Sequence, residues 1–126
     1  ALATGAKLTV CNFEYSFDEM RTNSVLAQAM LANLTALGED VVPSGEGVGS
    51  LDMGNVSQVV PAIHPYIAIG PANLVCHTRE FAQAAGGPGG VRALVVGAKA
   101  LAATALDVLT RPDLRAAAWE EFKNHK

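Results

Sequence analysis

A broad apolar stripe near the C-terminal end limits the folds open to this chain more than any other part of its sequence. Its members recur at helical spacing and are Val91, Leu94, Val95, Ala98, Leu101, Ala102, Ala105, Leu106 and Leu109. Such a stripe is typical of a helix that packs its apolar face against other secondary structure. The glycine-rich run Gly86–Gly90 precedes it and predicts a break between this helix and a shorter one.

Three further helices are predicted from local signals. Asn23 is a suitable N-cap for a helix that runs to Leu37. Thr78 can cap a short helix that ends at Ala85, and Pro112 suits the first turn of a last helix. Their inward faces would be formed by Leu26, Met30, Leu34 and Leu37, by Phe81, Ala82 and Ala85, and by Leu114, Ala118 and Phe122.

Three segments have the composition of β-strands. Lys7–Phe13 alternates, Val56–Val60 is short and apolar, and Tyr66–Ile69 has the nearly continuous apolar character of a strand buried on both faces. Strands followed by helices favour an α/β sheet covered by helices. The polar connector Glu14–Thr22 separates the first strand from the rest, which is compatible with that strand belonging to another domain.

Composition excludes several classes of function. The chain has 126 residues, enough for one domain with a core, and only 17% are charged, with a net charge of −3. Nucleic-acid binding and a polybasic membrane anchor both require a basic face. The two cysteines, Cys11 and Cys76, show no CxxC spacing, which favours a reduced, cytoplasmic chain. No uninterrupted apolar run reaches the length of a membrane span, and no membrane contact is expected.

Polar side chains interrupt an otherwise apolar stretch in the middle of the sequence. Asp52 and Asn55 lie in a glycine-containing turn, and such turns at a sheet edge often contact ligands. The alternative is that both residues stabilise the turn by bonding to their own backbone. Ser57 either contacts a substrate or is a polar residue inside a strand.

Three other residues could carry chemistry. His77 immediately precedes the short helix and could bind a metal as a neutral imidazole, or be held by a backbone carbonyl at the helix start. His64 either faces a pocket or is structural. Cys76 is either a nucleophile or metal ligand, or a buried structural thiol. The pair Glu120–Glu121 is interpreted as a solvated helix face, and Gly86–Gly90 lacks the Lys-Ser/Thr of a phosphate loop.

A series of motifs carries a family resemblance. Asp52–Ser57 reads Asp-Met-Gly-Asn-Val-Ser, Val60–Pro65 ends in Ile-His-Pro, and His77–Gly86 begins His-Thr-x-Glu-Phe. Together they resemble the C-terminal segment of metallopeptidase family 20. These zinc-dependent peptidases and amidohydrolases include aminoacylases, carboxypeptidases and dipeptide amidohydrolases. The resemblance covers essentially the whole chain, and the first and last motifs are specific as a pair.

The resemblance implies a fold and a site. The fold would be the C-terminal part of a mixed sheet covered by helices, formed by residues 16–126, and residues 1–15 would end an inserted ferredoxin-like domain that mediates dimerisation. The complete site would hold two zinc ions, with His77 as the last metal ligand. The substrate pocket would be lined by Asp52, Gly54, Asn55 and Ser57. Leu51 stands where relatives often have Thr.

The resemblance also implies that this segment is incomplete. The other metal ligands and the general-base Glu of the family lie upstream, and a catalytic zinc needs about three protein ligands. The absence of an initiator Met and the start inside a predicted strand agree with a fragment. We therefore expect the C-terminal part of an amidohydrolase that cleaves small N-acyl amino acids or dipeptides through metal-activated water. It would be inactive without the remainder of the enzyme. The alternative is a non-catalytic α/β binding or structural module.

Overall fold

A computed structural model describes residues 1–41 and 50–124. In it, the chain folds into a layer of helices. The elements are a 3-10 turn at Leu2–Thr4 and the helices α1 (Ser24–Ala36), α2 (Met53–Ser57), α3 (Arg79–Ala85), α4 (Pro88–Thr110) and α5 (Pro112–Asn124). Helix α4 contacts α1, α3 and α5, and α1 also contacts α5. The long helix predicted from the apolar stripe is therefore the centre of the layer.

The predicted helix ends are confirmed. The Asn23 side chain accepts a hydrogen bond from the Leu26 N–H at 3.0 Å and caps α1. Helix α1 ends before Gly38, whose φ of +82° is a conformation that glycine adopts without strain. The Thr78 hydroxyl accepts from the Phe81 N–H at 3.1 Å and caps α3. These interactions span three residues, so the local sequence specifies them.

The core lies between α1 and α4 and extends beneath α5. Met30, Leu34 and Ala100 form a buried cluster, and three partly buried side chains pack against it, namely Ile63, Ile67 and Val96. The inward face predicted for α5 is confirmed, because Leu114, Ala118 and Phe122 are all buried. Ala100 is fully buried, and its small side chain lets α1 approach α4 closely.

A polar network also joins α1 to α4. The Asn33 side chain donates to the Thr104 hydroxyl at 3.1 Å and to the Asp107 carboxylate at 2.9 Å. Thr104 in turn donates to the carbonyl of Ala100 at 2.8 Å. Because these polar groups are paired, their hydrogen bonds offset the cost of removing them from water, and the network fixes the register of the two helices.

The predicted mixed sheet is wrong, because the part of the chain that the structure describes contains no β-strand. Within the described residues, strand pairing is limited to an isolated parallel bridge between Thr22 and Ala62. There the Asn23 N–H donates to the Ala62 carbonyl at 2.9 Å. A strand is stable only when a neighbour satisfies its backbone groups. Lys7–Phe13 and Tyr66–Ile69 have strand-like composition but find no such neighbour among the described residues.

The predicted strand Val56–Val60 is also wrong. Helix α2 begins at Met53 and extends to Ser57, and a turn follows it. An apolar run of five residues fits a short strand and a buried helical segment equally well, so periodicity could not decide between them. The described part of the chain is therefore helical rather than α/β.

The apolar stripe of α4 lies mostly on the solvent side of the helix. The residues of α4 that are buried are Ala93, Ala100 and Thr104, whereas Leu94, Leu101 and Leu109 are 73%, 56% and 76% exposed. We call the exposed stripe the outer face of α4, formed by Val91, Leu94, Val95, Ala98, Leu101, Ala102, Ala105, Leu106 and Leu109. By length and composition alone, α4 could also cross a membrane.

Glycines permit close backbone contact where α3 meets α4. A Cβ atom on Gly90 would lie 2.0 Å from the carbonyl oxygen of Ala85, and one on Gly89 would lie 2.5 Å from that of Ile69. Both glycines belong to the first turn of α4, since the helix begins at Pro88. The glycine run thus ends α3 as predicted, and it also lets the next helix pack directly on the chain before it.

Glu121 links α5 to the start of α1, so its interpretation as part of a solvated face is wrong. Its carboxylate accepts hydrogen bonds from the Ser24 N–H at 2.7 Å and the Val25 N–H at 3.0 Å. A negative charge at a helix N-terminus is favourable, because the first N–H groups have no partner within the helix. The neighbouring Glu120 is exposed, as predicted.

The start of α5 carries its own local electrostatic interaction. The backbone N–H of Leu114 donates to the Asp113 carboxylate, which lowers the pKa of Asp113 below its usual value, and the nearby Arg111 adds to this effect. An acidic residue in the first helical turn is favourable, because its negative charge lies near the unpaired N–H groups at the helix N-terminus.

Candidate functional site

The four residues predicted to line a substrate pocket all lie in or next to helix α2. Asp52 precedes the helix, is exposed and makes no capping hydrogen bond with its side chain. Gly54 is buried, Asn55 is exposed and Ser57 is completely buried. The structure thus places them on one short element, with Asp52 and Asn55 accessible from solvent.

Asn55 and Ser57 bind the backbone of the polar connector. The Asn55 side chain accepts from the Asp18 N–H at 2.8 Å and donates to the Ser16 carbonyl at 3.0 Å. The Ser57 hydroxyl accepts from the Arg21 N–H at 2.8 Å and donates within α2 to the Gly54 carbonyl at 2.6 Å. Asn55 therefore stabilises a distant segment rather than its own turn, which differs from the local alternative considered for it.

Gln58, which the sequence did not indicate, and the predicted Gly54 also belong to this contact. The Gln58 side chain donates to the Glu19 carbonyl at 2.8 Å. Gly54 lies so close to the connector that an added Cβ would be 1.8 Å from the Asp18 carbonyl oxygen. Partners separated by more than thirty residues leave no local signal, so the sequence could not reveal this arrangement.

His77 lies just before α3 with an unusual backbone conformation. Its φ is +64°, the one positive φ of a non-glycine residue in the described part of the chain. Such a conformation is uncommon and often marks a functional position. The ring is exposed and makes no hydrogen bond with the other described residues, so the alternative of a ring held by a backbone carbonyl is not observed. A metal ion could reach its ring nitrogens.

The structure places the remaining candidates apart from one another. The ring of His64 is half-buried and lies 5.1 Å from that of Tyr66, in a tilted arrangement. Cys76 is exposed and free, so its interpretation as a buried structural thiol is wrong. Within residues 1–41 and 50–124, no three His, Cys, Asp or Glu side chains come together as a metal-binding group. His77 can therefore supply one ligand there, but not a whole zinc site.

The described surface has an apolar depression of about 410 Å³ between α4 and the chain before it. It is lined by Ile67, Ile69, Ala85, Gly90, Val91, Ala93 and Leu94. None of these residues belongs to the predicted substrate pocket. The depression is continuous with the outer face of α4, since Val91 and Leu94 belong to both.

Comparison with known proteins gives one clear similarity. No family model matches the chain. The chain is 40% identical over 128 residues to a Xaa-Arg dipeptidase of Mus musculus, and 39% identical over 128 residues to a Xaa-Arg dipeptidase of Homo sapiens. Each alignment covers 98% of this chain and 29% of the relative, so the chain spans less than a third of their length. The similarity supports a relationship to peptidases over one part of these enzymes.

Proposed function

We propose that this chain is the C-terminal part of a metal-dependent dipeptidase and is inactive without the rest of that enzyme. The observation that carries the proposal is the similarity to two Xaa-Arg dipeptidases along 98% of the chain. The substrate proposed by this similarity is a dipeptide with a C-terminal arginine. The reaction is hydrolysis of its amide bond.

Within the complete site, His77 would hold one of two zinc ions. Its exposed ring, free of hydrogen bonds to the other described residues, fits the role of a metal ligand. When bound, the metal pair supplies an activated water for attack on the amide carbonyl. The remaining ligands and the general-base Glu belong to the rest of the enzyme. Asp52 and Asn55 would border the substrate pocket. The Asp52 carboxylate is exposed and makes no capping bond, so it can contact substrate, whereas the Asn55 amide binds the backbone of the connector.

Substitution of His77 tests this function in the longer polypeptide that the proposal requires. We expect His77→Ala to lose bound zinc and to lower dipeptidase activity by more than about 100-fold, beyond the 10- to 100-fold typical of residues that only support a ligand. Zinc content and hydrolysis of a Xaa-Arg dipeptide are the measurements. Gln83→Ala is the matched control, because Gln83 is exposed on the adjacent helix α3, and it should leave both quantities unchanged.

Two results would contradict the function. One is full zinc content and activity in the His77→Ala variant. The other is appreciable dipeptidase activity of the purified, zinc-loaded 126-residue chain, since one histidine cannot assemble a catalytic zinc site. A longer polypeptide without metal or hydrolase activity would favour the non-catalytic module instead.

The rest of the enzyme would cover the outer face of α4. Large contiguous apolar surfaces are rare on monomeric soluble proteins and mark places where another surface binds. The relatives are more than three times as long as the matched segment, so they contain ample polypeptide for this purpose. A bilayer fits less well, because α4 also carries Arg92, Lys99 and Asp107. A charge at the centre of a membrane helix costs about 2.5–3.5 kcal/mol.

Substitution on the outer face gives a direct prediction. In the isolated chain, Leu101→Asp should reduce self-association and the binding of an apolar dye, because a charge interrupts the exposed stripe. In the longer protein the same change should destabilise by about 2–5 kcal/mol, as expected for loss of a buried leucine. Light scattering and urea unfolding measure the two effects.

The control for this prediction is Ala117→Asp, which adds the same charge at an exposed position of α5. It should change little in the isolated chain. Equal effects of Leu101→Asp and Ala117→Asp in the longer protein would show that the outer face of α4 is not covered there.

A further inference from the structure

His77 lies in a tight turn, at a position where glycine is the favoured residue. Cys76 and His77 form this turn between Val75 and Thr78, and the φ of His77 is +64°. A positive φ at the third residue of a β-turn usually requires glycine or asparagine, because the Cβ atom of other residues crowds the backbone there. An imidazole is therefore kept at this position at a cost to the backbone.

The hydroxyl of Thr78 fixes the chain on both sides of His77. It donates to the Val75 carbonyl at 2.8 Å, which closes the turn across Cys76 and His77. The same oxygen accepts from the Phe81 N–H at 3.1 Å, which joins the turn to the start of α3. One side-chain oxygen thus connects a residue before the histidine to a residue after it.

Packing contributes little to the conformation of this turn. Val75 is 65% exposed, and the side chains of Cys76 and His77 are exposed as well. Among the residues that the structure describes, Thr78 is the one whose side chain hydrogen-bonds to the backbone of residues 75–78. The hydroxyl of Thr78 is therefore the main side-chain restraint on the left-handed backbone of His77.

We propose that Thr78 is a positioning residue for the metal ligand His77. Its hydroxyl holds the backbone of His77 and so sets the direction in which the imidazole leaves the chain. Residues that orient a metal ligand commonly change metal affinity by about 10- to 100-fold when they are substituted. The effect on the metal rests on the proposed function, whereas the control of the His77 backbone is a property of the 126-residue chain alone.

Three substitutions of Thr78 separate the two hydrogen bonds of its hydroxyl. Thr78→Ser keeps both of them. Thr78→Asp keeps an acceptor for the Phe81 N–H, but an ionised carboxylate has no proton to donate to the Val75 carbonyl. Thr78→Val keeps the branched shape and loses both bonds. The matched control is Thr35→Val, which removes the hydroxyl of an exposed residue that donates to the Leu31 carbonyl of α1.

Nuclear magnetic resonance of the 126-residue chain tests the turn without any metal. A residue with positive φ gives a strong nuclear Overhauser effect between its own amide and Hα protons. We expect this strong signal at His77 in the wild type, Thr78→Ser and Thr35→Val, and its loss in Thr78→Asp and Thr78→Val. Amide exchange at Phe81 should accelerate about tenfold in Thr78→Val, the factor that corresponds to one hydrogen bond, but not in Thr78→Asp.

Two spectroscopic results would overturn the control of the turn by Thr78. One is a weak signal at His77 in the wild type, which would show that its backbone is not left-handed. The other is a signal in Thr78→Val as strong as in the wild type. Exchange at Met30 in the core should stay unchanged in every variant, which separates a local change at the turn from global unfolding.

Zinc binding by the longer polypeptide tests the effect on the metal. Thr78→Asp and Thr78→Val should lower zinc affinity by about 10- to 100-fold in competition with a chelator, whereas Thr78→Ser and Thr35→Val should leave it unchanged. The added carboxylate of Thr78→Asp would by itself attract a cation, so a lower affinity there reports the lost donor. The visible spectrum of Co²⁺ in place of zinc should also shift in both variants, because it depends on the geometry of the ligands.

Failure of this inference is distinguishable from failure of the proposed function. Loss of zinc in His77→Ala together with wild-type zinc affinity in Thr78→Val would overturn the positioning role and leave the function intact. Full zinc content in His77→Ala would overturn the function and the positioning role with it. The nuclear magnetic resonance measurements would still decide whether Thr78 controls the backbone of His77.

Discussion

Alanine at Gly90 is expected to lower the free energy of unfolding by about 2–3 kcal/mol, in the upper range for an overpacked site. The added Cβ would lie 2.0 Å from the carbonyl oxygen of Ala85 and 2.6 Å from its carbonyl carbon. Both atoms belong to the backbone at the end of α3, so they cannot rotate away, and the α3–α4 junction must shift. This cost exceeds the gain of about 1 kcal/mol that alanine offers over glycine within a helix.

The same substitution at Gly97 is the control, because it lies in the same helix but meets a different obstacle. A Cβ there would lie 3.0 Å from Cδ1 of Ile67, the end of a flexible side chain that can move by a few tenths of an ångström. Gly97→Ala should therefore be neutral or stabilising by up to about 1 kcal/mol. Urea unfolding of both variants measures the difference, and changes of the same sign and size would contradict the role given to Gly90.

Alanine at Glu121 is expected to destabilise the chain by about 2 kcal/mol, within the range for hydrogen bonds to a charged group. The substitution removes the acceptor for the N–H groups of Ser24 and Val25, both at the start of α1. It also removes a negative charge from a helix N-terminus. Glu121→Gln keeps one acceptor oxygen but loses the charge, so its effect should be intermediate.

Glu120→Ala is the natural control for Glu121→Ala. Glu120 is exposed, and its carboxylate accepts from the Asn124 side chain at 3.4 Å, an interaction expected to contribute little. Thermal or urea unfolding should therefore separate two adjacent glutamates of one helix by more than about 1 kcal/mol. Equal losses would show that the contact between α5 and the start of α1 does not stabilise the fold.

The parts of the fold that the sequence predicts correctly depend on neighbours in the chain. Asn23 and Thr78 each cap a helix by accepting from the N–H three residues later, and Gly38 supplies a left-handed residue directly after α1. Such rules require no knowledge of the rest of the molecule. They place the helix ends correctly to within about one residue.

The predictions that are wrong concern structure that depends on partners distant in the sequence. Tyr66–Ile69 has the composition of a buried strand, but composition does not provide the neighbouring strand that makes one. The periodicity of α4 identifies its apolar stripe, yet the helix packs on α1 through small residues such as Ala100 and leaves Leu94 and Leu101 exposed. Periodicity gives the position of a face around a helix and not the side on which the core lies.

For the candidate site too, the sequence predicts local features correctly and misses those that depend on distant partners. The sequence places His77 before a helix, and the structure agrees, but the left-handed backbone of His77 has no signature in the residues around it. Asn55 and Ser57 were selected for their chemistry, and their partners in the connector lie 36 to 39 positions earlier in the chain. Only the folded structure brings these partners together.

The contacts at the start of α1 bear on the order in which the chain can fold during synthesis. Asn23 bonds to Ala118, and Ser24 bonds to Glu121, across separations of 95 and 97 residues. A ribosome that has just added Ser24 must therefore add 97 more residues before the first turn of that helix can be completed. Contacts this distant in sequence slow folding, because the intervening loop must close before they form. Until then, the nascent helix depends on Asn23 alone for its cap, and the apolar side chains of Met30 and Leu34 are available to chaperones.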